Sequence, residues 1–289
     1  MAANAHFIPI LLTSIKTRDG MTLDGIAILP LQKSNTALIW IHGLSSRFSS
    51  GQTAIKEVSD ACRNAGIGYF KFSTRGSHVA FRGNNRMLGG GFEAFDECIL
   101  DIRAMIRYVR KLGFVNIILA GHSTGANKIV HYAATTKDRS VKSIILLGAI
   151  SDIVALRKEM GVKKFANACD IAEKLQKNKT ALMPPQYGLF SARRFWSLCH
   201  SGEKEDTFPY YDEKRKWHAL ESIRIPITVI IGSRDQYLDR TPAAYLAAFQ
   251  CHALLTKRFR GVMIKSADHG FHGKEKELAD QIVRAIHGL

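Results

Sequence analysis

The chain has 289 residues, 46% of them hydrophobic, and 41 lysines and arginines against 25 acidic residues give it a formal charge of +16. That size suits one globular domain with a large core, and no segment approaches the roughly 18 consecutive apolar residues that a membrane-spanning helix needs. The charge excess is diffuse, with 13 basic and 10 acidic residues between Asp152 and Ser222 and no basic run longer than Lys214-Arg215-Lys216. This argues against a nucleic-acid partner and leaves a basic surface that favours anionic substrates. Cys62, Cys98, Cys169, Cys199 and Cys251 are odd in number and contain no C-x-x-C pair, so reduced thiols in a cytoplasmic protein are expected.

Residues 7–12 are apolar, but no basic region precedes them and no small-residue cleavage site follows, so a first β-strand is expected there. Segments 8–17 and 21–29 flank Arg18-Asp19-Gly20, a turn signal that suits a hairpin. Beyond it, strand and helix patterns alternate: a strand at 37–41, a helix at 54–65, a strand at 68–72 and a longer helix from about 93 to 112. A strand from 116 feeds a helix over 125–134, followed by a strand at 143–147. The pattern resumes with a strand at 225–232, a helix with Thr241 as cap and Pro242 at its first position, a strand at 262–265 and a closing helix at 274–287. Such alternation predicts an α/β fold, a mostly parallel central sheet with helices on both faces.

Between residues 152 and 222 the alternation stops. The composition turns helical, lysine-rich and aromatic, with Pro184-Pro185 in its middle. Residues 1–289 therefore read as one domain carrying a helical cap at 152–222, which would cover the carboxyl ends of the strands where such sheets bind ligands. Its aromatic residues Phe190, Phe195, Trp196, Phe208, Tyr210 and Tyr211 suit either a substrate pocket or packing within the cap. Gly89-Gly90-Gly91 lacks the Lys-Ser/Thr of a P-loop and the spacing of a dinucleotide site, and reads as a flexible loop.

The most informative segment is Gly121-His122-Ser123-Thr124-Gly125, a G-x-S-x-G run between a predicted strand and a predicted helix. In a nucleophile elbow the serine sits on a strained turn with its hydroxyl exposed and helix-start N–H groups nearby. A serine hydroxyl needs a general base, itself oriented by a third group. Downstream, Gly232-Ser233-Arg234-Asp235 places a carboxylate after one strand, and Asp268-His269 follows the last strand. Ser123 is the candidate nucleophile, His269 the base and Asp235 its orienting acid, with Asp152 and Asp268 as alternative acids and His272 as an alternative base. Oxyanion donors are expected at the backbone N–H of Thr124 and of Leu44, in the loop His42-Gly43-Leu44. His42 and His122 read as structural.

His42-Gly43, Ser73-Thr74-Arg75-Gly76, the elbow, Gly232 to Asp235 and Asp268-His269 together resemble the α/β-hydrolase superfamily across nearly the whole chain. The resemblance implies the α/β-hydrolase fold and a Ser-His-Asp hydrolase acting on a small-molecule ester with no metal and no organic cofactor. Its haloalkane dehalogenase and epoxide hydrolase branches use aspartate at the elbow, which Ser123 disfavours here. The elbow, Ser191 to Leu198 and Glu205-Asp206-Thr207-Phe208 are similar to the fungal siderophore-esterase branch and its bacterial relatives, compatible with a bulky polar ester. An acyltransferase or thioesterase would use the same triad, and a non-catalytic ligand-binding module would use the same fold.

Overall fold

The structure is a computed structural model that describes residues 8–288. Phe7, at the head of the expected first strand, lies outside the described residues. Eight strands form one sheet in the order β1-β2-β4-β3-β7-β8-β9-β10. β1 (Leu11–Lys16) and β2 (Thr22–Ile28) make the expected hairpin, and β2 pairs antiparallel with β4 (Gly68–Phe72). All the other pairings are parallel, through β3 (Thr36–Ile41), β7 (Asn116–His122), β8 (Val141–Leu147), β9 (Ile227–Gly232) and β10 (Phe259–Ile264).

Side chains alternate across a strand, and this divides the core into two layers. Ile39 of β3 and Leu119 of β7 point into the layer with α2 (Cys98–Lys111), α3 (Thr124–Thr136) and α8 (Pro242–His252). Leu38 and Ile118, one residue away, point into the opposite layer with α1 (Gln52–Asn64) and α9 (Glu275–His287). Strands buried on both faces read as near-continuous apolar runs, which is why they stand out in the sequence. Thr241 caps α8 as expected, its side chain accepting the Ala244 N–H.

Two local expectations change. The helix expected from residue 93 begins only at Cys98, after a 3₁₀ turn, because Ala94 takes an extended backbone (φ −88°, ψ 124°) that no helix can run through. A two-stranded hairpin of β5 (Phe81–Gly83) and β6 (Arg86–Leu88) lies between β4 and α2, too short to leave a periodic trace.

The segment between β8 and β9 carries α4 (Asp152–Met160), α5 (Val162–Leu175), α6 (Ala192–Cys199) and the short α7 (His218–Glu221). α4, α5 and α6 enclose a separate apolar cluster that includes Phe165, Ala168 and Phe195. The later residues Phe208, Tyr210 and Trp217 join the main core instead. One part of the segment therefore has a core of its own, and the rest is anchored to the sheet.

Candidate active site

Ser123 sits between β7 and α3 at φ 55° and ψ −129°. A left-handed φ at a non-glycine residue stores on the order of 1–3 kcal/mol of strain and persists only where the surroundings enforce it. Here the Ser123 N–H donates to the Leu147 carbonyl at 2.9 Å, tying the turn to the neighbouring strand. The two elbow glycines meet a demand for close approach: a Cβ at Gly121 would lie 2.4 Å from the Gly125 carbonyl oxygen, and one at Gly125 would lie 2.3 Å from that of Ile41.

The loops after β9 and β10 bring Asp235 and His269 together. His269 Nδ1 lies 2.8 Å from Asp235 Oδ2, and the Asp235 side chain is fully buried. The other oxygen, Oδ1, accepts the Tyr237 N–H at 2.9 Å, so the carboxylate is held at both ends. The imidazole is held as well. Its own backbone N–H donates to Gln236 Oε1, the Tyr237 ring packs edge-on with centroids 4.7 Å apart, and a Cβ at Gly148 would stand 3.1 Å from Nδ1. Sequence reasoning missed Tyr237, Gln236 and Gly148, although the first two directly follow Asp235 in the chain.

Ser123, His269, Thr124 and Leu44 line one cavity of about 350 Å³. The loop carrying Leu44 is turned by the Ser46 N–H donating to the Gly43 carbonyl, and a Cβ at Gly43 would press to within 2.9 Å of the Ser123 Cβ. Ala155, Leu156 and Glu159 of α4 and Leu198 of α6 form part of the wall. None of Phe190, Phe195, Trp196, Phe208, Tyr210 and Tyr211 lines it. Phe195 and Trp196 pack in the separate cluster, with Phe190 against it, while Phe208 and Tyr210 lie in the main core and Tyr211 packs against both. Of their two sequence readings, packing is the one observed.

The alternative residues are engaged elsewhere. Asp152 lines the cavity, but the structure brings His269 Nδ1 to Asp235. Burial and the neighbouring Glu205 raise the Asp152 carboxyl well above its usual range. Asp268 pairs with His272, Oδ2 to Nδ1 at 2.8 Å, on the exposed surface. His42 ties two loops together: Nδ1–H donates to the Gly43 carbonyl and Nε2 accepts the Thr74 N–H, while burial pulls its pKa down to about 3. His122 contacts the His269 carbonyl through Nε2 at 2.8 Å, and burial and the nearby His269 lower it to about 4.

Behind the elbow lies a buried polar network with no counterpart in the sequence reading. Lys128 of α3 holds both oxygens of Glu93, at 2.9 and 2.7 Å. Arg194 of α6 reaches Glu93 at 3.2 Å, pairs with Glu205 through both terminal nitrogens, and donates through Nε to the Gly90 carbonyl. Two cations and two carboxylates thus balance in a buried site, where unpaired charge would be costly. The Gly89-Gly90-Gly91 stretch is a docking surface for this segment and not a flexible loop: a Cβ at Gly91 would lie 2.1 Å from the Leu189 carbonyl oxygen, and the Gly91 carbonyl accepts the Ser191 N–H.

A mostly parallel eight-stranded sheet with a strained serine elbow at its carboxyl edge defines the α/β-hydrolase fold. More narrowly, the chain belongs to the DUF1749 family, a family of proteins of unknown function whose model matches residues 6–289. No curated protein matches the sequence. Among solved structures, siderophore hydrolase EstB from Aspergillus fumigatus is similar at a TM-score of 0.73 and 16% identity, covering 99% of this chain and 99% of that one. Est1E from Butyrivibrio proteoclasticus, bound to ferulic acid, gives 0.64 at 18% identity over 96% and 98% of the two chains. The Pyrococcus furiosus esterase Pf2001 gives 0.64 at 15% identity over 99% and 95%. Among the described residues, no helix is long and apolar enough to cross a membrane.

Proposed function

We propose that the protein is a serine hydrolase that cleaves small carboxylic esters through an acyl-enzyme on Ser123, with the 152–222 segment as the cap over its site. The observation that carries this is the 2.8 Å His269–Asp235 contact in the loops beside the strained Ser123 elbow, with Ser123 and His269 on one cavity. The esterases and the siderophore hydrolase that share the fold support the same reading.

In this mechanism Ser123 Oγ attacks the ester carbonyl carbon while His269 Nε2 takes its proton. Asp235, accepting from Nδ1–H, fixes the tautomer and stabilises the imidazolium. The tetrahedral oxyanion is received by the N–H groups of Thr124 and Leu44, each worth a few kcal/mol of barrier. Collapse breaks the bond to the leaving alcohol, which takes the proton from His269. A water molecule, deprotonated by the same imidazole, then attacks the acyl-enzyme, releasing the carboxylic acid and restoring Ser123. Asp152 is poorly suited to the role of acid, because a carboxyl held toward its protonated form cannot stabilise an imidazolium by charge.

A panel of p-nitrophenyl esters from acetate to octanoate tests the reaction class. Saturable turnover by the purified protein is expected, and no release of p-nitrophenol above the uncatalysed rate from any member would overturn it.

A further inference from the structure

Beside the Ser123 cavity lies a second one, of about 220 Å³, and the two share Ser46 and His122 in their walls. Their linings differ in sign. Among the described residues, Asp152 and Glu159 line the first with no lysine or arginine, whereas Lys71 lines the second with no carboxylate. Asp268 approaches the second only at its exposed rim, where it pairs with His272.

Lys71 stands next to the end of β4, opposite Trp40 in the parallel register, and is 4% exposed. Its Nζ donates to the Ser50 carbonyl at 2.5 Å and lies 5.8 Å from the Trp40 ring centroid. An ammonium has three donors, and the carbonyl takes one. Among the described residues no carboxylate comes within 4.0 Å of it, although buried lysines are ordinarily paired. Burial accordingly lowers Lys71 to about 8. His42 and His122, in the same wall, are both held toward their neutral forms and supply no competing charge.

A second positive element converges on the same place. The 13-residue helix α1 starts at this cavity with Gly51 as its N-cap, no side-chain cap and no acidic residue in its first turn. The first N–H groups of a helix have no intrahelical partner and lie at the positive end of its dipole.

We propose that this cavity is a subsite for a carboxylate carried by the substrate, held by Lys71 Nζ and the start of α1, which makes the substrate class an ester with an anionic arm. The substrate assignment rests on Ser123 being the nucleophile of the adjoining cavity; the anion site itself does not. The volume equals about seven waters' share of the liquid, enough for a carboxylate on a short chain. The net charge of +16 would draw such a substrate toward the protein from a distance.

The test uses two p-nitrophenyl esters of glutaric acid that differ only in whether the far carboxyl is free or methylated. The wild type should favour the free acid, and Lys71→Met should lower the ratio of kcat/KM for the two esters by about tenfold or more, as loss of a charged hydrogen bond implies. A ratio unchanged by the substitution would overturn the substrate assignment. Binding is read separately on Ser123→Ala protein labelled with ¹³C-lysine, where Lys71 is intact. Acetate should shift the Lys71 Cε resonance saturably and raise its titration midpoint, and no saturable shift would overturn the anion site. Saturation by acetate together with an unchanged ester ratio would assign the cavity to free anions and reject the substrate arm. Turnover of neither ester with acetate still bound would reject the esterase reading and support the anion site.

Discussion

The carboxyl edge of the sheet and the helical segment 152–222 meet at one cavity but are built on different principles. At the sheet edge, position is set by backbone: Ser123 is held at positive φ by a hydrogen bond to β8, and Asp235 and His269 leave adjacent parallel strands on short loops. In the helical segment, position is set by side chains. Arg194 and Glu205 fasten it to Glu93 and Lys128 through buried ion pairs, and its aromatic residues form cores without entering the cavity. The helical segment contributes Leu156, Glu159 and Leu198 to the wall.

Substitutions that separate the two regions test this contrast, and the largest effect belongs to the sheet edge. Asp235→Asn should lower kcat by about 10⁴-fold with the fold intact, as loss of the carboxylate from such a triad does. Asp152→Asn, in the same cavity, should lower it by less than about tenfold, and steady-state kinetics on p-nitrophenyl butyrate distinguishes the two. Equal losses would place the orienting charge elsewhere.

The fastening of the helical segment should appear as stability. Arg194→Met leaves Glu205 buried without its partner and should cost about 3–5 kcal/mol in chemical denaturation. Phe195→Ala empties the small cluster and should cost a similar 3–5 kcal/mol, or somewhat less if the cluster collapses around it. Because Phe195 does not line the cavity, kcat/KM for a short ester should change by less than about threefold. A large loss of activity with little loss of stability would restore the aromatic residues to the binding wall.

A further effect is with pH. His42 and His122 have folded pKa values near 3 and 4, below the unfolded value of 6.5, so protonation favours the unfolded chain. Their contribution to stability is complete above about pH 6.5 and is lost as the pH falls toward 4 and then 3. Tm should therefore fall between pH 7 and pH 5, and His42→Asn should flatten that slope even though it lowers Tm at pH 7.

The same division explains what the sequence reveals. β4 has the predicted bounds, β3 and β9 lie within two residues of theirs, and a turn at positive φ falls at Ser123 between strand and helix, because doubly buried strands and tight turns write local patterns. Asp235 and His269 stand out as polar residues directly after such strands. Lys128, Glu93, Arg194 and Glu205 do not, because their partners lie 35, 101 and 11 positions away and no periodicity records the pairing. Lys71 is hidden for the same reason: one lysine in Gly68-Tyr69-Phe70-Lys71-Phe72 looks like any edge residue until the strand is seen buried on both faces. The Gly89-Gly90-Gly91 stretch looks flexible in isolation, and only the folded chain shows why side chains are absent there: a Cβ would press on Val79 at Gly89, on Ser45 at Gly90 and on the Leu189 carbonyl at Gly91.

The central claim is that Ser123 is an activated nucleophile oriented by the His269–Asp235 pair. Intact-mass spectrometry after treatment with a fluorophosphonate measures this without any choice of ester. The protein should gain one phosphonyl adduct, mapped by peptide sequencing to Ser123, and both Ser123→Ala and His269→Ala should remain unlabelled. An unmodified wild type, or an adduct that persists in Ser123→Ala, would contradict it.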